Sequence, residues 1–234
     1  MLERWTIGFD ADDTLWHNER FFQMSQARFA EMLCDWVPAE KLAQRLLAAE
    51  RRNLGRYGFG IKGFTLSMIE TAIEVTDAKI PARIIAELIE IGQEMLAHPI
   101  ELLPGVEQTI ASLAPEAQLI LITKGDLLDQ ERKLAQSGLG DHFDAVEIVS
   151  DKTAETYQRI FASHGRARVA MVGNSLKSDI LPALETGAWA VYVPHELTWE
   201  LEHAEKPYNH SKFHEIPTLD HLPSLLSSID GENT

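Results

Sequence analysis

From residue 118 onward, short apolar runs alternate with helical segments, and no other feature of the chain limits its fold so tightly. The apolar runs cover 118–123, 145–149, 169–172 and 188–193, and helical stretches near 127–137, 153–163 and 177–186 separate them. That alternation marks a parallel sheet covered by helices. Residues 5–9 add one more strand at the start. Parallel strands are buried on both faces, so they read as continuous apolar runs rather than as strict apolar–polar alternation.

Between the first strand and the rest, residues 17–97 carry helical spacing and no strand signal. Phe22, Phe29, Leu33 and Trp36 fall near that spacing. So do Leu42, Leu46 and Leu47, then Leu66, Ile69 and Ile73, then Ile84, Leu88, Ile91 and Met95. Four amphipathic helices in a row predict a small bundle. The glycines of 55–63 mark a loop in the middle. The expected architecture is α/β: a doubly wound, Rossmann-like parallel-sheet core of residues 1–16 and 98–234, interrupted by a helical-bundle cap of 17–97. The polar stretch 195–234 is expected to end in a short helix near 222–229, and its histidines, His195, His203, His210, His214 and His221, read as surface residues.

Composition narrows the function. The chain has 234 residues, 45% hydrophobic, enough for one sizeable core. Thirty-six acidic against 21 basic residues give a formal net charge of -15, which disfavours nucleic-acid and anionic-membrane partners. Cys34 is the only cysteine, so no intrachain disulfide forms. No stretch approaches the ~18 uninterrupted apolar residues of a membrane span. A soluble cytoplasmic protein, monomer or homodimer, is the expectation.

Strand ends carry the reactive groups. In open α/β sheets, ligands bind beyond the carboxyl ends of the strands. Here those ends offer Asp10 and Asp12, then Thr123 and Lys124, then Lys152, then Asn174 and Asp179. A rigidly held carboxylate such as Asp10 suits nucleophilic attack on phosphorus. Asp12, two residues on, suits proton transfer to a leaving alkoxide and from an attacking water. The hydroxyl of Thr123 and the backbone amides at Lys124 and Gly125 suit phosphate oxygens. Lys152 offsets negative charge, and Asp179 and Asn174 offer oxygens to a hard cation, Mg²⁺ being the expected cofactor. Taken singly, Asp12, Asp13 and Asn174 also suit helix caps, and Lys152 also suits a solvated surface.

In that order and placement the residues resemble the haloacid dehalogenase-like superfamily. Asp10-Ala11-Asp12-Asp13-Thr14 matches its Asp-x-Asp-x-Thr signature. Thr123 matches the second signature and Lys152 the third, while Gly173 and Asp179 match the fourth. The resemblance implies that Asp10 is nucleophile and metal ligand. It implies that Asp12 is general acid/base, with its carbonyl also on Mg²⁺, that Thr123 and Lys152 bind phosphate, and that Asp179 binds Mg²⁺. Two positions depart from the family: Asn174 stands where an acid is usual, which implies weaker Mg²⁺ binding, and Thr153 stands where proline is common. An acid at Asp12 favours a phosphate ester over a halide, because an alkoxide needs a proton to leave. The expected activity is therefore hydrolysis of a small-molecule phosphate ester, with Arg56 and Lys62 of the cap reading the substrate. A phosphomutase using the same intermediate, or a non-catalytic relative, are the alternatives.

Overall fold

The computed structural model describes residues 4–164 and 168–232. Among these residues six strands form one parallel sheet: β1 (Thr6–Phe9), β2 (Gln118–Lys124), β3 (Ala145–Val149), β4 (Val169–Gly173), β5 (Trp189–Tyr192) and β6 (Phe213–Glu215). Their order is β3-β2-β1-β4-β5-β6. The chain builds outward from β1 on one side, then crosses β1 and builds outward on the other. This reversal puts a topological switch point at the carboxyl end of β1, the usual place for a ligand in such sheets.

The period-two geometry of strands divides the apolar runs between the faces. Ile7, Phe9, Leu119, Leu121, Ala170, Val172 and Val191 pack on one face. There they meet α5 (Val106–Leu113) and α9 (Leu222–Glu232) through Ile110, Leu222 and Leu226. Ile120, Ile122, Met171 and Ala190 pack on the other, with Tyr157, Ile160, Ile180 and Leu184. Those four residues come from α7 (Ala154–His164) and from a wide π-type turn, Leu176–Ile180, that runs into α8 (Leu181–Glu185). Gly8 sits where a Cβ would stand 2.7 Å from Ile122 Cδ1, so a side chain at the centre of β1 would require Ile122 to shift. The short β6 lies in the polar tail, where no strand was expected.

The chain divides into two compact units. One holds the described residues up to His17, Ile100–Lys124 and Gln130 onward; the other holds Asn18–Pro99 and Gly125–Asp129. The second unit contains α1 (Glu19–Met32), α2 (Ala39–Tyr57), α3 (Ile61–Val75) and α4 (Ala82–Ala97). It also takes the first residues of α6 (Leu127–Ser137), which then continues into the sheet unit. Phe29, Leu33, Leu46, Phe64, Met68, Leu88 and Ile91 form its core. Two expectations fail here. The glycine loop is much shorter than 55–63: α2 runs through Gly55 to Tyr57, and only residues 58–60, with Gly58 at φ 73 and Gly60 at φ 113, separate it from α3. On α3 the buried stripe is Phe64, Ser67, Met68, Thr71 and Ala72, whereas Leu66 and Ile73 are exposed. No helix among the described residues is long and apolar enough to cross a membrane.

Glu50 lies on the buried side of α2. Burial pushes its carboxyl from the usual 4.5 up to about 7. The folded state therefore favours the protonated form. The resulting stability is fully present below pH 4.5 and is lost as pH rises through about 7. We expect Glu50→Gln to match the wild type in denaturant melts near pH 4.5. Well above pH 7 it should exceed the wild type by about 3 kcal/mol.

Candidate active site

The site grows from the turn that ends β1. Asp10 N–H still donates to Val172 O of β4 (2.9 Å), so the backbone holds Asp10 at the strand end. The chain then folds back on itself: Leu15 N–H donates to Ala11 O (2.8 Å), and Asp13 takes a left-handed φ of 61. Asp adopts that conformation more readily than most residues. Thr14 Oγ1 donates to Asp10 Oδ2 (2.9 Å) and accepts from Asn174 N–H (3.1 Å). One hydroxyl thus ties the end of β1 to the end of β4 across the switch point.

Lys152 is buried, and its Nζ lies 2.5 Å from Asp10 Oδ1 and 2.7 Å from Asp179 Oδ1. Asp179 is held further by Ser175 N–H on its second oxygen (2.9 Å) and by Tyr157 Oη at 3.5 Å. The π-type turn presents Asp179 at this point, and turns of that kind concentrate at functional sites. It also explains Gly173, where a Cβ would fall 2.3 Å from Asp179 Oδ2. One ammonium therefore faces two carboxylates. Burial opposes the charge on Lys152, but Asp10 and Asp179 outweigh it and hold the lysine ionised. Burial, then the Asp179 charge, push the Asp10 carboxyl upward against the pull of Lys152.

Asp12 stands in the opposite state. Its carboxylate accepts from Trp16 Nε1 (2.7 Å), Gln130 Nε2 (2.9 Å) and Lys133 Nζ (3.0 and 3.1 Å). Burial alone would raise its pKa, but Lys133 and the two neutral donors together bring it below the usual carboxylate range. Gln130 and Lys133 lie three residues apart on α6, on one helix face. Sequence reasoning missed both; a polar pair on an amphipathic helix looks the same whether it meets solvent or a buried acid. Trp16, which completes the set, is fully buried.

Thr123 is buried near the end of β2. Lys124 follows it, and its Nζ donates to Ser178 Oγ (2.6 Å) and Glu202 Oε1 (2.6 Å). Glu202 also accepts from Ser175 Oγ and Ser178 Oγ, both at 2.5 Å. Burial would raise its pKa, but Lys124 and those hydroxyls keep it low. The polar tail thus reaches the strand ends through Glu202, a residue the sequence did not flag. His195 also departs from the surface reading: its side chain is only 11% exposed and its Nε2 lies 3.7 Å from Asp13 Oδ1. His214 is half-buried and stacks on Trp189, whereas His203, His210 and His221 are exposed. In the helical unit, Arg56 is exposed and Lys62 pairs with Asp126 (2.9 Å).

A cation fits one group of atoms here. With its nitrogen turned inward, the Asn174 amide donates to Asp10 Oδ2 (3.2 Å), Asp12 O (3.3 Å) and Thr14 Oγ1 (3.3 Å). With its oxygen inward, Asn174 joins Asp10 Oδ2 and the Asp12 carbonyl as a set of hard oxygen ligands beside surplus carboxylate charge. That donor chemistry suits Mg²⁺.

The profile of the haloacid dehalogenase-like hydrolases matches residues 6–187. A solved haloacid dehalogenase-like family hydrolase from Xanthomonas campestris is 41% identical, with a TM-score of 0.86, over 98% of this chain and 93% of that one. Pyrimidine 5'-nucleotidase YjjG of Escherichia coli (strain K12) is 27% identical over 133 residues, which is 53% of this chain and 56% of that protein. The match thus spans little more than half the length of that curated relative. L-2-haloacid dehalogenase from Xanthobacter autotrophicus shares the fold at 20% identity and a TM-score of 0.66, over 95% and 98% of the two chains.

The hold on Asp12 can be measured. Lys133→Met leaves a largely buried carboxylate short of its cation, which is costly. In a double-mutant cycle with Asp12→Asn, denaturant melts should give a coupling of about 1–3 kcal/mol. A coupling near zero would mean that Lys133 is not holding Asp12.

Proposed function

Because the chain belongs to the haloacid dehalogenase-like hydrolases, we propose that it hydrolyses a small-molecule phosphate monoester through an aspartyl-phosphate on Asp10, in the cytoplasm. The observation that carries this reading is the pair of acids two residues apart, each held by its own partners and pushed in opposite directions. A carbon–halogen bond needs only the nucleophile. A second acid has work to do when the leaving group is an alkoxide.

In this reading Thr14 and Lys152 fix the Asp10 carboxylate for attack on phosphorus. Asp12 gives a proton to the departing alkoxide and takes one from the water that releases phosphate. The ionised Asp12, bound by Lys133, is the form left once the first proton has gone. Lys133 and Gln130 then act as a latch that the carboxylate must leave to pick up its proton again. Thr123 and the backbone amide of Lys124 bind phosphate oxygens. The Lys124 side chain fastens the Ser178–Glu202 network beside them. Asp179 holds Lys152 and keeps acceptor capacity on both oxygens for the cation, as expected of a metal ligand. Asp10, the Asp12 carbonyl and Asn174 would hold Mg²⁺, which supplies positive charge against the repulsion between Asp10 and the phosphate. The nucleotidase relative puts nucleoside monophosphates among the first esters to assay.

Two experiments test the reading. A phosphate-release screen over nucleoside monophosphates, sugar phosphates and an aryl phosphate should show Mg²⁺-dependent turnover. Asp10→Asn should abolish it, and retained turnover would remove Asp10 as nucleophile. The second experiment concerns position 174. An amide can offer oxygen to a cation or nitrogen to the surrounding oxygens, whereas a carboxylate can do only the first. Asn174→Asp should therefore lower the Mg²⁺ concentration for half-maximal activity by roughly tenfold, as ligand charge raises affinity. An unchanged or higher requirement would contradict it.

A further inference from the structure

We propose that Asp13, His17 and His195 form a second metal site, for a transition ion of the Zn²⁺ class, separate from the oxygen ligands around Asp10. One ligand atom from each residue lies within 4.8 Å of the other two. His195 Nε2 is already 3.7 Å from Asp13 Oδ1, and the His17 and His195 rings are 6.0 Å apart, edge to face. With bonds of about 2.0–2.2 Å, a tetrahedral ion spaces its ligands by about 3.4 Å. A contraction of up to about 1.4 Å thus brings all three to bonding distance.

The surroundings favour a ligand set over a plain ion pair. Asp13 is buried, and the left-handed turn after β1 fixes its backbone. His195 is oriented from behind: its Nδ1 lies 2.9 Å from Leu197 O, with Leu197 N–H 3.3 Å away. Leu197 N–H would make Nδ1 an acceptor, but the carbonyl contact is the shorter of the two; with the proton on Nδ1 for that carbonyl, the lone pair is on Nε2, the nitrogen facing Asp13. Metal-bound histidines are commonly held this way, their second ring nitrogen on a backbone carbonyl. Two imidazoles and one carboxylate select a transition ion over Mg²⁺. Three protein ligands leave a position for water or an exchangeable group.

Position gives the site its consequence. Asp13 and His17 belong to the turn after β1, which also carries Asp10 and Asp12. His195 lies just after β5, on the segment that leads to Glu202. A bound ion would clip these two segments together beside the strand ends, and the sheet unit would gain stability with ion concentration.

The test needs no turnover. The chelator-treated protein is titrated with Co²⁺ in excess Mg²⁺, following visible ligand-field absorption and bound metal by dialysis. One equivalent should bind with such a band and be displaced by Zn²⁺. His17→Gln and His195→Gln should each weaken binding on the order of tenfold or more. Asp10→Asn should leave it unchanged, which separates this site from the oxygen ligands. On the unaltered protein, Zn²⁺ should move the side-chain ¹⁵N resonances of two histidines, a readout that does not depend on the variants folding. No band under Mg²⁺, or a band lost in Asp10→Asn but kept in both histidine variants, would overturn the site, as would unmoved histidine resonances.

Discussion

Lys152 carries the only ammonium that contacts both Asp10 and Asp179 among the described residues, and the arrangement of the strand ends follows from it. Its nitrogen is almost entirely withdrawn from water, as is Asp179. A buried charge is tolerated only when paired and hydrogen-bonded. The ends of β1, β3 and β4 must therefore converge to within a few ångströms. Other local features serve this convergence. Gly173 leaves space for Asp179, the π-type turn aims it, and Thr14 bridges β1 and β4 at the same place. Two carboxylates against one lysine leave negative charge over, and that surplus gives a divalent cation a reason to bind.

Asp10 and Asp12 show how two identical side chains acquire different chemistry from their neighbours. Asp10 shares its lysine with another acid, while Asp12 accepts from Lys133, Gln130 and Trp16. The first is pushed toward protonation and the second away from it. Separated environments of this kind let a pair of acids take different parts in one reaction. Two of the donors to Asp12, Gln130 and Lys133, come from α6, the helix that begins in the helical unit and ends in the sheet unit.

Much of the sheet was legible because strands buried on both faces must be apolar throughout, as 118–123 and 169–172 are. The strand-end acids were legible for the converse reason, since an apolar run seldom ends in paired carboxylates without a partner for them. What escaped had no comparable signal. β6 is three residues long and mixes Phe213 with His214 and Glu215. The inner face of α3 is lined by Ser67, Thr71 and Ala72, small residues that pack well without standing out as hydrophobic. Gly55 read as a loop residue because glycine is a poor helix former, yet its neighbours keep it helical. Lys133, Glu202 and His195 act across long sequence separations, and only the folded chain brings them to the strand ends.

The central claim is that Asp10 takes up the phosphoryl group. The most direct measurement is an acid quench within a single turnover, followed by mass spectrometry of the peptide containing Asp10. A phosphorylated, hydroxylamine-labile Asp10 that appears with the first burst of alcohol and then decays is the predicted result. Full release of alcohol and phosphate with no label on Asp10 at any time, or label on another residue, would contradict it.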